Sequence, residues 1–148
     1  MWVIVAALLI NLVIGIIQEK RADAAFERLT ASQEKFATVI RDGQKKEIHA
    51  EDVVPGDIIE LEAGKSVPAD ARIISAHALM VNESPLTGEW IDVAKRAHVI
   101  KNEARITEQT NMLWMGTLVT KGVSKAVVVT TGLKTQIGFI AEELAKTK

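Results

Sequence analysis

Apolar residues are concentrated at the start of the chain, where residues 1–17 contain a single polar side chain, Asn11. As a helix this run would be about 25 Å long, slightly shorter than the roughly 30 Å hydrocarbon core of a bilayer. It therefore predicts most of a membrane span. A buried helix of a soluble protein is an alternative, although such helices are seldom so uniformly apolar. A signal peptide would carry basic residues before the run, whereas Lys20 and Arg21 follow it.

The basic pair Lys20 and Arg21 predicts that the rest of the chain is cytoplasmic, by the positive-inside rule. Apolar residues then recur at spacings of three and four up to about residue 33, with charged residues between them. This periodicity predicts a stalk helix over residues 18–34.

Short β-type runs separated by turn residues follow the stalk. Asp42-Gly43 predicts a hairpin between residues 37–41 and 45–49, because glycine accepts positive φ without steric cost. Lys121-Gly122 predicts a second turn. The remaining strands are predicted at residues 57–61, 71–74, 78–81, 113–120 and 124–131. Helices do not alternate with these strands, so the pattern favours an antiparallel β-sandwich or barrel-like domain over a parallel βαβ fold.

Helical periodicity returns near the end of the chain, where apolar residues share one face: Ile137, Ile140, Ala141 and Leu144. The predicted organisation is a partial membrane helix at 1–17, a stalk helix at 18–34, a β-domain at 35–134 and an exit helix at 135–148. The exit helix is expected to lead toward a further membrane segment that the chain lacks.

Composition excludes several classes of function. The chain has 148 residues, enough for one compact domain, and a formal net charge of −1, so no basic field attracts nucleic acid. Cysteine is absent, which removes disulfides, thiolate zinc sites and a cysteine nucleophile. The three histidines, His49, His77 and His98, lack metal-ligand spacing, so no metal site is expected.

The candidate chemistry lies in residues 81–90, where Pro85 and Gly88 interrupt the β pattern. The residue before a proline favours extended backbone, so we expect Ser84 to be extended and the preceding strand to end there. Gly88 would permit a tight exposed loop from which Thr87 and Glu89 project. A carboxylate held in this way can orient and deprotonate a water molecule, although Thr-Gly-Glu alone is a weak signal.

Five motifs in order strengthen that signal. They are Pro55-Gly56-Asp57; Val67-Pro68-Ala69-Asp70; Asn82-Glu83-Ser84 with Leu86-Thr87-Gly88-Glu89; Asn111-Met112 with Met115-Gly116-Thr117; and Thr131-Gly132 with Thr135 and Gly138. In this order and spacing the chain resembles the actuator domain of P-type cation-transporting ATPases (E1-E2 ATPases), together with the membrane helix that enters it. The resemblance extends over essentially the whole chain.

The resemblance implies a distorted, jelly-roll-like antiparallel β-sandwich between an N-terminal membrane and stalk helix and a C-terminal helix. It also implies a role in a pump whose catalytic aspartate, in another domain, is phosphorylated by ATP with Mg²⁺. Glu89 would help water to hydrolyse the aspartyl phosphate, and Thr87 and Gly88 would shape the loop. The implied partners are the membrane, the phosphorylation and nucleotide-binding domains, and a transported cation, with Ca²⁺ a candidate. No cofactor is expected in the chain itself.

The chain departs from the family pattern in two respects. The residue after the glutamate is usually serine, and here it is Trp90. The phosphorylation motif Asp-Lys-Thr-Gly-Thr is absent, so the chain alone is expected to be inactive. Two alternatives stay open: a non-catalytic, membrane-tethered regulatory or interaction module with the same fold, and a stand-alone hydrolase that uses Glu83 and Glu89 as an acid–base pair. The resemblance instead implies a structural role for Glu83, near the base of the loop.

Overall fold

The structure is a computed structural model that describes residues 36–100 and 103–146. The predicted membrane span at 1–17 and stalk helix at 18–34 lie outside these residues and stay predictions. Within the described residues, no helix is both long enough and apolar enough to cross a membrane.

The first two strands form the hairpin that the sequence predicts. Strand β1 (Phe36–Arg41) pairs with β2 (Gln44–His49) in antiparallel register. The two connecting residues, Asp42 and Gly43, have φ of 54° and 74°. Two consecutive positive φ values are typical of the type I′ turn, whose twist matches that of the flanking strands.

The sheet contains seven strands, and every pair in it is antiparallel, which confirms the mainly β fold. The other strands are β3 (Ile58–Glu62), β4 (Asp70–Asn82), β5 (Asp92–Ala94), β6 (Met112–Leu113) and β7 (Leu118–Thr130). Their order is β2-β1-β3-β7-β4-β5, with β6 paired to β4. Two α-helical segments, α1 (Ser84–Thr87) and α2 (Gln136–Lys146), and three 3₁₀ turns (Ala50–Asp52, Ile106–Glu108 and Gly132–Lys134) complete the described fold.

Two predicted strand breaks are wrong. The runs at 71–74 and 78–81 belong to the single strand β4, and Lys121-Gly122 lies inside β7 instead of forming a turn. The register of β4 against β7 shifts beside Ala78 and Gly122, which have φ of 48° and 81°. Each irregularity is therefore absorbed as a β-bulge within the paired strands. Glycine is common in both β-bulges and turns, so the sequence alone does not distinguish them.

The bulge in β7 also changes which side chains reach the core. Val119 is buried on an odd-numbered position, whereas Ser124, Ala126 and Val128 are buried on even-numbered positions. One extra residue of β7 between Val119 and Lys121 produces this switch. The core includes buried side chains from five strands: Val39, Ile59, Val81, Leu113, Val119 and Val128.

Helix α2 is attached to the sheet by a buried carboxylate. Asp70, the first residue of β4, accepts a hydrogen bond from the Gln136 amide at 2.8 Å and another from the Met115 amide at 2.8 Å. The Thr135 hydroxyl accepts from the Gly138 amide at 3.2 Å, as N-cap residues do. The predicted apolar face of this helix is partly exposed, since Ile140 and Leu144 face solvent in the described part of the chain.

The close approach at Gly122 predicts an unusually costly alanine substitution. A Cβ atom at Gly122 would lie 2.4 Å from the carbonyl oxygens of His77 and Ala78. Gly64 also has positive φ but has nothing within 4 Å of the same position. Gly64→Ala should lower the free energy of unfolding by about 1–2 kcal/mol through backbone strain alone. Gly122→Ala should cost about 1–3 kcal/mol more because of the clash.

Urea denaturation of the two variants and the parental chain measures this difference. Equal stability losses at the two glycines would show that the β4–β7 contact relaxes without cost.

Candidate functional site

The loop between β4 and β5 begins with a helical turn. The Asn82 side-chain oxygen accepts hydrogen bonds from the Ser84 amide at 3.1 Å and the Ser84 hydroxyl at 2.5 Å. Ser84 and Pro85 then form the first positions of α1. The expectation of an extended Ser84 is therefore wrong, because proline is tolerated in the first turn of a helix and Asn82 satisfies the Ser84 amide.

The main-chain carbonyl of Glu83 holds this turn together. It accepts hydrogen bonds from the Leu86 amide at 2.9 Å, the Thr87 amide at 3.0 Å and the Thr87 hydroxyl at 3.1 Å. The Gly88 amide donates to the Ser84 carbonyl at 2.9 Å. Each amide of the turn from Leu86 to Gly88 therefore has an acceptor within the turn, which fixes the backbone of a short segment.

Gly88 ends the turn in the left-handed conformation, with φ of 76° and ψ of −3°. This conformation agrees with the tight loop that the sequence predicts at Gly88. An added Cβ would meet nothing within 4 Å, so the constraint at this position is the backbone dihedral and not the available space. The Glu89 amide then donates to the Thr87 hydroxyl oxygen at 3.2 Å. The Thr87 hydroxyl thus bridges the two sides of the turn.

Glu89 lies at the exposed end of this arrangement. Among the residues that the structure describes, no side chain forms a hydrogen bond or an ion pair with the Glu89 carboxylate. The next two residues are also exposed, Trp90 at 86% and Ile91 at 67% of the full residue surface. The turn therefore presents one free carboxylate beside two apolar side chains.

A buried ion pair lies at the base of the loop. The Lys95 ammonium is 2.5 Å from a carboxylate oxygen of Glu83, and the two residues are only 2% and 1% exposed. Lys95 is held by its amide, which donates to the Leu79 carbonyl at 3.0 Å, and by its ammonium, 3.3 Å from the Gln109 carbonyl. Burial raises the pKa of Glu83 and lowers the pKa of Lys95, and the attraction between the two partners opposes both shifts.

The sequence analysis does not identify Lys95 as part of the candidate site. Lysine is almost never fully buried unless it is paired, and its partner lies twelve positions earlier, outside any helix or hairpin spacing. The structural interpretation of Glu83 agrees with its position. Because its carboxylate is buried and bound to Lys95, the geometry argues against Glu83 and Glu89 as an acid–base pair sharing one water molecule.

The histidines belong to separate elements. His49 ends β2, His77 lies in β4 and His98 follows β5. In the described parts of the chain, no three side chains of histidine, aspartate or glutamate are grouped as metal ligands.

The buried pair predicts strongly non-additive mutations. Lys95→Met should lower the free energy of unfolding by about 3–5 kcal/mol, because it leaves an uncompensated buried carboxylate. Glu83→Leu together with Lys95→Met should cost less than Lys95→Met alone, because no buried charge remains. Urea denaturation of the single and double variants measures this coupling, and additive losses would contradict it.

The Lys95→Met variant should also have an altered pH dependence. Burial already raises the pKa of Glu83, and losing Lys95 removes the interaction that lowers it. The folded state then holds a proton that the unfolded state releases. The variant should therefore gain stability as pH falls from neutral toward the ordinary range of glutamate. Denaturation at several pH values tests the direction.

Gly88 predicts a local effect. Gly88→Ala should strain the loop by about 1–2 kcal/mol while leaving the sheet folded. Gly88→Asn should be milder, because asparagine adopts the left-handed conformation more readily. Circular dichroism and amide exchange measure the two effects separately, and global unfolding of either variant would show that Gly88 supports the core.

Comparison with known proteins gives the family. The sequence profile of the P-type ATPase actuator domain matches residues 31–145. The chain is 41% identical over 145 residues to the cation-transporting ATPase pma1 of Synechocystis sp., which covers 98% of this chain and 16% of that protein. It is 43% identical over 145 residues to the endoplasmic reticulum calcium ATPase srcA of Aspergillus fumigatus, covering 96% of this chain and 15% of that protein.

A solved structure agrees with these relatives. The crystal structure of a zinc-transporting PIB-type ATPase in the E2.Pi state superimposes with a TM-score of 0.61 at 25% identity, over 80% of this chain and 17% of that one. The chain thus spans 15–17% of the length of these three proteins. With a profile match over most of its length, two relatives above 40% identity and a shared fold, the chain belongs to the actuator-domain family of P-type ATPases.

Proposed function

We propose that the chain is the actuator part of an ATP-driven cation pump and that Glu89 promotes hydrolysis of the aspartyl phosphate intermediate. One observation carries the proposal: Glu89 is an exposed carboxylate, without a partner among the described residues, directly after the left-handed Gly88 of a hydrogen-bonded turn. A carboxylate in that position can be brought against a substrate that another domain carries.

The chemistry of phosphate hydrolysis suits such a group. Phosphoryl transfer depends mainly on positioning and on electrostatic stabilisation, so an oriented water molecule and a general base account for much of what a protein must supply. Glu89 would accept the proton of the attacking water. Thr87 and Gly88 would hold the turn that carries it, through the bridging hydroxyl and the left-handed backbone.

The remaining components would belong to the rest of the pump. ATP, Mg²⁺, the phosphorylated aspartate and the nucleotide-binding domain would lie outside this chain, which spans 15–16% of its curated relatives. We propose Ca²⁺ as the transported cation. Two relatives named as calcium ATPases, from Aspergillus fumigatus and Bacillus cereus, support this assignment.

The proposed layout has a membrane helix at 1–17, a stalk helix at 18–34, a cytoplasmic β-domain at 35–134 and an exit helix at 135–148. The apolar run and the basic pair Lys20 and Arg21 support the first part of it. We expect the full chain to fractionate with membranes. Deleting residues 1–17 should release a β-rich domain. A full chain that is soluble and monomeric without detergent would contradict the membrane assignment.

The mechanism predicts a specific defect in the parent pump. Glu89→Gln should leave phosphorylation by ATP intact and slow hydrolysis of the phosphoenzyme by about 10²- to 10⁴-fold, the usual loss when a general base is removed. The phosphorylated intermediate should accumulate while ATP turnover and transport fall together. Decay of the labelled phosphoenzyme after a chase with unlabelled ATP measures the effect.

Two controls accompany this experiment. Glu62→Gln removes another exposed carboxylate, on β3. The phosphoenzyme of this variant should decay at the parental rate. Trp90→Ser restores the usual family residue, and the phosphoenzyme of this variant should decay no more slowly than that of the parent. Parental decay in Glu89→Gln would leave the loop without a catalytic role and favour the non-catalytic interaction module.

A further inference from the structure

We propose that Glu83 and Lys95 are positioning residues for the reaction, because their buried ion pair closes the base of the loop that carries Thr87, Gly88 and Glu89. The proposal rests on the proposed function of Glu89. The two partners stand at the two ends of residues 83–95, and their charged groups meet at 2.5 Å. We call this pair the loop clasp.

Glu83 connects the clasp to the turn with two different groups. Its main-chain carbonyl accepts the three hydrogen bonds from Leu86 and Thr87 that define the turn. Its side-chain carboxylate contacts the Lys95 ammonium. The residue whose carbonyl accepts the hydrogen bonds of the turn is therefore the same residue whose side chain is anchored to Lys95.

Lys95 connects the clasp to the rest of the β-domain. Its amide donates to the Leu79 carbonyl in β4, and its ammonium lies 3.3 Å from the Gln109 carbonyl, just after the 3₁₀ turn Ile106–Glu108. The base of the loop is thus fixed to β4 and to a segment that lies fourteen positions further along the chain.

Besides the pairing of β5 with β4, which places Asn82 opposite Asp92, the side-chain hydrogen bonds of Asp92 at the base of the loop are exposed. Strand β5 has only three residues, and Trp90 and Ile91 pack little of their surface. Asp92 accepts a hydrogen bond from the Thr120 hydroxyl at 2.8 Å, but this contact is exposed to water. The clasp is the buried polar contact between the two ends of the loop.

Energetics also favour a positioning role. Two apolar side chains of similar volume are often at least as stabilising as a buried ion pair, because both ions must be removed from water. An ion pair with hydrogen bonds instead fixes the distance between the two side chains and their relative orientation. Direction matters here, because displacing a reacting group by about 1 Å can cost about 10²-fold in rate.

The test replaces the clasp with apolar groups in the parent pump. Glu83→Leu together with Lys95→Met removes both buried charges and should retain the fold. Phosphorylation by ATP should be unchanged, whereas decay of the phosphoenzyme should slow by about 10- to 10²-fold. The ion pair of Lys45 and Glu60, in which Lys45 is exposed and Glu60 half-buried, provides the control. In the variant with Lys45→Met and Glu60→Leu, the phosphoenzyme should decay at the parental rate.

Amide exchange in the full 148-residue chain provides a second measurement. In the parental chain the amides of Leu86, Thr87 and Gly88 should be protected by their hydrogen bonds. In the clasp variant they should exchange faster by about tenfold or more, while core amides such as Val128 keep their protection. A merely structural role would change the loop and the core together.

The outcomes separate the two proposals. If the phosphoenzyme of the Glu89→Gln variant decays slowly but that of the clasp variant decays at the parental rate, only the positioning role is overturned. Parental decay in Glu89→Gln overturns the proposed function, and the exchange experiment still tests the clasp. If the clasp variant does not fold, the parental chain decides: unprotected amides at residues 86–88 overturn the proposal, and protected ones support it.

Discussion

The pairing of β4 with β7 is the contact on which the rest of this domain depends. Each strand has thirteen residues, and their ends coincide, with Asp70 opposite Thr130 and Asn82 opposite Leu118. The candidate loop leaves β4 at the Asn82 end, and α2 follows β7 at the Asp70 end. The strand pair can remain continuous because Gly122 allows the chain to pass against the carbonyls of His77 and Ala78.

The loop combines a rigid base with an exposed tip. Within the turn, the backbone amides find acceptors in the Glu83 carbonyl, the Ser84 carbonyl and the Thr87 hydroxyl. The charged group that the turn presents, Glu89, is left to solvent. This is the arrangement that a group requires if it must remain ordered and still contact a substrate on another domain.

Local features could be predicted from the sequence, whereas features set by tertiary contacts could not. The hairpin at Asp42-Gly43 and the tight loop at Gly88 follow from short-range backbone preferences, and the structure contains both. Lys121-Gly122 lies inside β7 because β4 continues beside it, which no local signal reveals. Ser84 was misassigned because Asn82 caps its amide. Lys95 was missed because only the folded chain brings it to Glu83.

Two polar anchors of the domain are carboxylates buried at the ends of β4. Asp70, at its first residue, accepts from the amides of Met115 and Gln136 and so holds the start of α2. Glu83, just after its last residue, holds the loop through its carbonyl and Lys95 through its carboxylate. Because a buried carboxylate needs its partners to offset lost hydration, neither anchor can shift without a large free-energy cost. The orientation of α2 and that of the loop are consequently fixed to the same strand, and through that strand to each other.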